Sequence, residues 1–328
     1  MKTIYIKEFG SPEDLELTET PDPILSNKNE VLVRVRAAGL NRADLLQVRG
    51  LYPPPAGYSP NIPGLEFAGE IAAIGDEVSD WQIGDRVFGI TAGEAQAEYL
   101  TIDSSLLVRI PDSLSFTEAA AVPEAFITAH DAIFTRGSLE QGETLLIHAV
   151  GSGVGLAGLQ LGKANGSMVI GTSRTTDKLE RCAEYGLDHG ISTADGIAFA
   201  TQISEITDGK GVGVILDLVG GAYFPQNLAS LAAKGRLILV GLTAGRTAEF
   251  DMGMALQKRL TITGTVLRGR STAEKAEATH KFADEVVPLL ANGTICPNLD
   301  RVFAVNDVIA AYKYLGSNES FGKVVLEF

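Results

Sequence analysis

The segment from Thr144 to Asn165 constrains the fold of this 328-residue chain more than any other. An apolar run at 144–149 leads into a turn of small residues, Gly-Ser-Gly-Val-Gly at 151–155, and a helical pattern follows at 156–165. This order predicts a dinucleotide-binding unit, because glycine lets the backbone approach a pyrophosphate and the helix N-terminus supplies N–H donors. The spacing departs from G-x-G-x-x-G, and a tight turn without a ligand would also favour glycine.

The region after Pro123 predicts a doubly wound parallel sheet. Helical stretches alternate there with short, nearly all-apolar strands, which are predicted at 144–149, 168–171, 213–219, 236–241 and 260–266. Strands that are apolar on both faces and separated by helices are typical of a parallel sheet covered on each side. This part of the chain is therefore predicted to be an α/β Rossmann domain.

The first 125 residues are instead rich in β-strands. Apolar and charged residues alternate at 31–36, as they do in a half-buried strand. Further strands are predicted at 66–74, 85–90, 98–102 and 323–328, and one helix is predicted at 42–49. We expect a β-rich domain of residues 1–124 and 290–328, and a doubly wound domain of residues 125–289.

Charge and composition exclude several classes of partner. The formal net charge is −14, and no basic stripe is present, so we expect no nucleic-acid partner. No apolar run reaches the roughly 18 residues that a membrane span needs, and the first residues lack the apolar core of a signal peptide. We therefore expect a cytoplasmic protein with no membrane partner. The two cysteines, Cys182 and Cys296, are expected to be ordinary thiols.

The end of the second strand of the doubly wound domain predicts which dinucleotide is bound. NAD-binding folds usually carry an acidic residue there, which holds the ribose hydroxyls. This chain has Ser173 and Arg174 at that point, with Lys178 nearby. A hydroxyl and two cations suit a 2′-phosphate, so NADPH is the predicted cofactor. The two cations would also fit a solvated helix start.

Short motifs along nearly the whole chain carry a resemblance to one family. They are Leu-Asn-Arg-Ala-Asp-Leu at 40–45, Tyr-Pro-Pro-Pro at 52–55, Pro-Gly-Leu-Glu at 63–66, Trp-Gln-Ile-Gly-Asp-Arg-Val at 81–87, Ala-Val-Pro-Glu-Ala at 121–125, and Phe-Gly-Lys-Val-Val-Leu at 321–326. The chain resembles the quinone oxidoreductases of the medium-chain dehydrogenase/reductase superfamily. Within that group it is similar to the tumour-suppressor-inducible branch and, more distantly, to zeta-crystallin. The resemblance implies a GroES-like catalytic domain, a Rossmann domain and a homodimer.

The resemblance also implies roles for individual residues. Tyr52 matches an active-site tyrosine that would orient or protonate a carbonyl oxygen, although its ring would also pack well on the prolines after it. The implied cofactor-binding residues are Asn41, Thr128, Ser152 with Gly153, Val154 and Gly155, Thr193 and Lys323. Thr193 replaces a tyrosine that contacts the adenosine phosphate in some relatives. Gly241, Leu242 and Leu267 follow later strands, and ligands gather at the carboxyl ends of open parallel sheets.

Residue types predict that no metal takes part. The zinc-dependent members of the superfamily carry a cysteine where this chain has Asn41 and a histidine where it has Leu65. Tetrahedral zinc needs three or four thiolate, imidazole or carboxylate ligands, and these replacements remove two of them. His148 closes an apolar strand, so we expect it to be a hydrogen-bonded core residue and not a catalytic base.

The residues and the resemblance together predict an NADPH-dependent oxidoreductase that reduces a quinone or a similar electron-poor small molecule by hydride transfer. One alternative is a reductase of activated alkenes such as enals, enones or enoyl thioesters, because the same fold serves both reactions. A second alternative is an NADPH-binding scaffold with little turnover, because cofactor binding survives the loss of chemistry.

Overall fold

The computed structural model describes all 328 residues of the chain. Its strands, in chain order, are β1 (Lys2–Ile6), β2 (Leu15–Glu19), β3 (Glu30–Leu40), β4 (Glu66–Ile74), β5 (Arg86–Ile90), β6 (Tyr99–Asp103), β7 (Leu107–Arg109), β8 (Thr144–Ile147), β9 (Met168–Ser173), β10 (His189–Ser192), β11 (Val212–Asp217), β12 (Leu231–Leu239), β13 (Thr261–Gly264), β14 (Leu299–Ala304) and β15 (Lys323–Glu327).

The helices follow the same order along the chain. They are α1 (Arg42–Val48), α2 (Phe116–Ala119), α3 (Pro123–His130), α4 (Gly153–Ala164), α5 (Thr176–Ala183), α6 (Phe199–Ile206), α7 (Phe224–Ser230), α8 (Met252–Lys258), α9 (Thr272–Glu285), α10 (Val287–Ala291) and α11 (Val308–Ser317). A π-helical segment, Asp131–Arg136, continues α3. No helix is both long and apolar enough to cross a membrane.

The chain forms two compact units. The first contains residues Met1–Ile127 and Leu267–Phe328, and the second contains Thr128–Val266. The C-terminal segment thus belongs to the first unit. The predicted boundary at residue 289 differs from the observed one, because α9 packs within the first unit. Phe282 of α9 lies edge-on to Phe88, with 5.9 Å between the ring centroids.

The first unit is built around a largely antiparallel sheet of seven strands. Its order is β14-β15-β3-β4-β5-β7, with β6 paired to β3. The alternation that predicts strand β3 also explains its packing, since Val31, Val33 and Val35 are buried while Arg34 between them is exposed. Strands β1 and β2 form a separate antiparallel pair. The sheet brings the end of β3 beside the start of β15, where Leu40 pairs with Val324.

The second unit contains the predicted doubly wound sheet. Six parallel strands follow the order β10-β9-β8-β11-β12-β13. The central strands are buried along nearly their whole length, which explains their continuous apolar sequences. All their carboxyl ends lie at one edge of the sheet because the strands are parallel. The glycine turn after β8 lies at that edge, where such folds bind ligands.

Candidate functional site

The glycine turn of the second unit is closed by a helix cap. Ser152 is the N-cap of α4, and its Oγ accepts a 3.1 Å hydrogen bond from the Gly155 N–H. The cap begins a helix of 12 residues, whose aligned peptide dipoles create positive potential at its first turn. Ala149 before the turn has a left-handed φ of 50°, which redirects the chain as it leaves the strand.

Gly155 is required by the backbone around it. A Cβ atom there would lie 2.5 Å from the Ala149 oxygen and 2.6 Å from the Val150 oxygen. Gly153 and Val154 form the first turn of α4, so the predicted cofactor residues share one short segment. Bare backbone and unpaired N–H groups at a helix start suit a pyrophosphate, and the residues of this turn therefore fit a dinucleotide.

The end of β9 carries the residues predicted to select the cofactor. Ser173 is buried, and its Oγ accepts a 3.2 Å hydrogen bond from the Thr175 N–H. Arg174 is exposed, and Lys178 is half-buried in the first turns of α5. A serine hydroxyl and two cations thus follow the strand within a few residues, a set that fits a phosphate group.

Thr193 lies beside this strand end. Its backbone N–H donates a 2.8 Å hydrogen bond to the Ser173 oxygen, so two predicted adenosine-side residues are neighbours. Its hydroxyl accepts a 2.8 Å hydrogen bond from the Tyr223 hydroxyl. Thr193, which replaces a tyrosine of some relatives, is therefore hydrogen-bonded to a tyrosine from another segment.

A buried polar chain connects the glycine turn to the loop after β11. His148 is fully buried, with Nδ1 2.8 Å from Thr172 Oγ1 and Nε2 2.6 Å from Asn227 Oδ1. Asn227 Nδ2 donates to Asp217 Oδ2 at 2.9 Å, and Asp217 Oδ1 accepts from the Gly220 N–H at 2.8 Å. The Asn227 oxygen must therefore accept from His148, which assigns the His148 proton to Nε2. Burial lowers the pKa of His148, and its predicted role as a hydrogen-bonded core residue is confirmed.

The other predicted cofactor residues differ in exposure. Gly241 follows β12, its N–H donates to the Asp217 oxygen at 3.1 Å, and a Cβ there would lie 2.5 Å from the Leu218 oxygen. Leu242 beside it is 49% exposed, which leaves its side chain available to a ligand. Thr128 is buried in the second unit, and Leu267 is buried in the first.

Tyr52 lies in the first unit, in the loop after α1. Its side chain is half-buried, and the burial raises the pKa of its phenol above the ordinary value of 10.0. The nearby Arg268 lowers the pKa of this phenol, and Glu124 raises it. The phenol therefore keeps its proton at neutral pH and is able to donate a hydrogen bond.

Arg268 holds three separate segments of the first unit. It is 5% exposed. Its Nε donates to the Ala92 oxygen and its Nη1 to the Tyr52 oxygen, both at 2.8 Å, and its Nη2 donates to Gln47 Oε1. The guanidinium carbon also lies 4.9 Å from the centroid of the Tyr52 ring. One buried side chain thus fixes both the backbone and the ring of Tyr52.

Lys323 lies in a buried ionic network with Asn41 and Glu66. Its Nζ donates to Glu66 Oε1, to Asn41 Oδ1 at 2.7 Å and to the Leu40 oxygen at 2.8 Å. Asn41 Nδ2 donates to the same Glu66 oxygen at 2.8 Å. The three donors of the ammonium are satisfied within the first unit, and the predicted cofactor role of Lys323 remains a prediction.

Two further carboxyl groups adjoin this network. Asp44 is fully buried and accepts hydrogen bonds from the Asn41 N–H at 2.7 Å and the Gly64 N–H at 3.1 Å. Burial nevertheless raises the pKa of Asp44 to about 6. Burial and the neighbouring Glu66 raise the pKa of Glu124 to about 8, so Glu124 holds a proton at neutral pH.

Sequence reasoning did not single out Glu66, Glu124 or Arg268 as site residues. Glu66 and Glu124 stand inside motifs that carry the family resemblance, and a carboxylate in an otherwise apolar motif was an available signal. Arg268 follows the predicted cofactor residue Leu267 directly. No spacing rule connects it to Tyr52, because the two residues are 216 positions apart.

The side chains present do not form a metal centre of the usual composition. No group of three or more histidine, cysteine, aspartate and glutamate residues is arranged to hold a metal ion. Cys182 is buried and Cys296 is exposed, and neither forms a disulfide. Asn41 is engaged with Glu66, and Leu65 is 2% exposed.

Comparison with known proteins identifies the family. Residues 27–128 match the alcohol dehydrogenase GroES-like domain, and residues 153–284 match the zinc-binding dehydrogenase family. A quinone oxidoreductase of Pseudomonas aeruginosa is 33% identical over 99% of both chains. Highly-reducing polyketide synthase 1 of Aureobasidium melanogenum is also 33% identical over 98% of this chain, but the match spans only 14% of that synthase.

Solved structures agree with these matches. A quinone oxidoreductase of Pseudomonas syringae has a TM-score of 0.87 at 31% identity and covers 100% of this chain and 99% of that one. The CurK enoyl reductase has a TM-score of 0.86 at 28% identity, with coverage of 99% and 98%. The mycobacterial protein Rv1454c, solved in complex with NADPH, has a TM-score of 0.88 at 27% identity and covers 100% of both chains.

The chain therefore belongs to the quinone oxidoreductase group of the medium-chain dehydrogenase/reductase superfamily. The predicted α/β fold, with a GroES-like domain and a Rossmann domain, is confirmed. The protein is an oxidoreductase that uses a nicotinamide cofactor.

Proposed function

We propose that this protein is an NADPH-dependent quinone oxidoreductase that works without a metal. The main supporting observation is that Tyr52 is a protonated phenol whose ring and backbone are both in contact with Arg268. A flat aromatic ring beside a hydrogen-bond donor suits the binding of a planar carbonyl compound. The quinone oxidoreductases of two Pseudomonas species, similar over nearly the whole chain, give further support.

The cofactor-binding residues divide into two groups by role. Ser152, Gly153, Val154 and Gly155 would hold the pyrophosphate through backbone N–H groups. Ser173, Arg174 and Lys178 would hold the 2′-phosphate of the adenosine ribose, with Thr193 adjacent to them. When bound, NADPH would supply the hydride that reduces the acceptor.

The protein's own contribution to the reaction is orientation and hydrogen bonding. Tyr52 would donate its hydroxyl hydrogen bond to the acceptor oxygen on which negative charge develops. In the second unit, Thr128, Gly241 and Leu242 are the further proposed cofactor-binding residues. In the first unit they are Asn41, Leu267 and Lys323. Asn41 and Leu65 stand where zinc-dependent relatives carry metal ligands, which supports a reaction driven by positioning alone.

The second candidate is a reductase of activated alkenes. The structural likeness to the CurK enoyl reductase and the sequence match to a highly-reducing polyketide synthase favour it. An enoyl group on a carrier protein or on coenzyme A brings a negatively charged phosphate, and the net charge of −14 disfavours such a substrate. A small electron-poor carbonyl compound therefore stays the preferred acceptor.

We also propose a cytoplasmic homodimer formed through the second unit. Strand β13 is the outermost strand of the parallel sheet, so one of its edges is unpaired. The preceding helix α8 exposes Met252 by 73% and Leu256 by 80%. Sedimentation equilibrium of the purified protein tests this, since a monomer across the micromolar range would contradict it.

An acceptor panel tests the function. Purified, chelator-treated protein is mixed with NADPH or NADH and with 1,2-quinones, 1,4-quinones, enals, enones and enoyl thioesters, and oxidation of the reduced nicotinamide is followed by absorbance. The proposal expects quinones to accelerate NADPH oxidation at a rate that chelation leaves unchanged. If the alkenes are reduced and the quinones are not, the second candidate is the function. If no acceptor is reduced, the result favours a binding scaffold.

A further inference from the structure

The segment that follows the second unit begins with a buried arginine. Leu267 and Arg268 are the first residues of the chain after its return to the first unit. Arg268 is only 5% exposed, and burial lowers the pKa of its guanidinium, so this charge carries a desolvation cost. The hydrogen bonds of Arg268 offset part of this cost.

The hydrogen bonds of Arg268 all end in the neighbourhood of Tyr52. Gln47 belongs to α1, Tyr52 to the loop after it, and Ala92 to the segment after β5. The planar guanidinium presents donors in fixed directions, so it joins these three segments in one relative arrangement. In the loop itself, Pro53, Pro54 and Pro55 have no N–H groups and donate no backbone hydrogen bonds.

The contact with the ring adds a second constraint. The guanidinium carbon lies 4.9 Å from the Tyr52 ring centroid, a distance at which a cation is attracted to the face of the ring. The backbone oxygen of the same residue accepts from Nη1. Arg268 therefore limits both the position of the loop and the rotation of the ring. One face of the ring is therefore occupied by the guanidinium.

We infer that Arg268 is a positioning residue that fixes the backbone and the ring of Tyr52 for the acceptor. The inference rests on the proposed function for its substrate. Lysine retains the charge at this position but lacks the planar guanidinium, whose N–H donors point in fixed directions. The Arg268 side chain acts through Tyr52 and is not itself assigned a contact with the acceptor.

A double-mutant cycle tests whether Arg268 acts through Tyr52. The variants are R268K, Y52A and R268K/Y52A, and kcat and KM are measured with a 1,4-quinone and NADPH. We expect R268K to lower kcat/KM for the quinone by about tenfold in the wild-type background and by less than about twofold in the Y52A background. The dissociation constant of NADPH, measured by fluorescence, is expected to change by less than about twofold.

R109K is the matched control. Arg109 lies 4.9 Å over the ring of Trp81 and pairs with Asp85, so it makes the same kind of cation–ring contact elsewhere in the first unit. We expect R109K to leave kcat and KM unchanged. Q47M provides a second route if R268K fails to fold, because it removes one acceptor of the guanidinium and is expected to lower kcat/KM in the same direction.

Hydrogen exchange of the loop makes the test independent of activity. Peptides covering residues 51–58 are expected to exchange faster in R268K and Q47M than in the wild type and R109K. An equal loss of kcat/KM in both backgrounds, or unchanged exchange of this loop, would overturn the inference. If the wild type turned over no quinone, the proposed function would fail, and the exchange result would still decide whether Arg268 orders Tyr52.

Discussion

Lys323 and Glu66 form an ion pair in the interior of the first unit, where the lysine side chain is 4% exposed and the glutamate side chain is fully buried. The pair joins β15 to β4 across the end of β3, next to Asn41. Two opposite charges so far from water each depend on the other for compensation.

Replacing Lys323 by methionine should therefore destabilise the first unit strongly. The change leaves the Glu66 carboxylate buried without its cation, which costs about 3–5 kcal/mol in the free energy of unfolding. Urea denaturation of the cofactor-free protein measures it. The control K281M removes the exposed pair of Lys281 with Glu277 and should have almost no effect, and equal effects of the two variants would contradict this account.

Glu124 predicts a pH dependence of stability. Its pKa is about 8 in the folded protein against an ordinary 4.5, so between these values the folded state keeps a proton that the unfolded state has lost. Stability therefore falls as the pH rises through this range. Glu124→Gln mimics the protonated group, so it should match the wild type near pH 4.5 and exceed it at pH 9 in the free energy of unfolding. A difference that does not vary with pH would contradict the assignment.

Gly155→Ala tests the glycine turn. The added methyl group would meet the Ala149 and Val150 oxygens at 2.5 and 2.6 Å, so the turn must shift. We expect NADPH to bind about tenfold or more weakly, because N–H groups aimed at the phosphates move. Gly316→Ala is the control, since nothing lies within 4 Å of a Cβ there. Fluorescence titration measures both variants, and normal binding by G155A would exclude this turn as the pyrophosphate site.

Arg174→Ala tests the choice of cofactor. Loss of a charge-assisted hydrogen bond to the 2′-phosphate should weaken NADPH binding about tenfold or more and leave NADH almost unchanged. Arg181→Ala, an exposed arginine near the other end of α5, should alter neither. Equal losses for NADPH and NADH in R174A would remove Arg174 from the phosphate site.

Tyr52→Phe separates the hydroxyl from the ring. The ring and its contact with Arg268 remain, and the hydrogen-bond donor is lost. We expect kcat with a quinone to fall, while the NADPH dissociation constant stays within about twofold. Tyr58→Phe in the same loop serves as the control and should retain full turnover. An unchanged kcat in Y52F would reduce the role of Tyr52 to packing.

The regular elements of the fold were largely predictable, because their signals are local. Strand β4 has the predicted bounds, and the strand, turn and helix around Gly155 appear where the fingerprint requires them. Strand β12 begins at Leu231, before the predicted residue 236. Its pairing with β11 shifts register between Leu231 and Arg236, and Lys234 in this stretch has a left-handed φ of 65°. The regular part of the strand still starts at Arg236.

The assignment of α9 and the environment of Tyr52 were not predictable in the same way. The Ser271–Glu274 capping box indicates a helix, but the partner of that helix is set by packing of Phe282 against Phe88. Arg268 likewise reads as a surface arginine in sequence. Its burial depends on hydrogen-bond acceptors from segments far away along the chain. The sequence around Arg268 gives no indication of these partners.

The 216 positions between Tyr52 and Arg268 also affect when the loop after α1 becomes ordered. Contacts between distant parts of a chain form late in folding, because a long loop must close before they contribute. A growing polypeptide that has not yet reached residue 268 lacks the arginine that secures Tyr52. The arrangement in which Arg268 holds Tyr52 therefore forms only after the second unit, Thr128–Val266, has been synthesised.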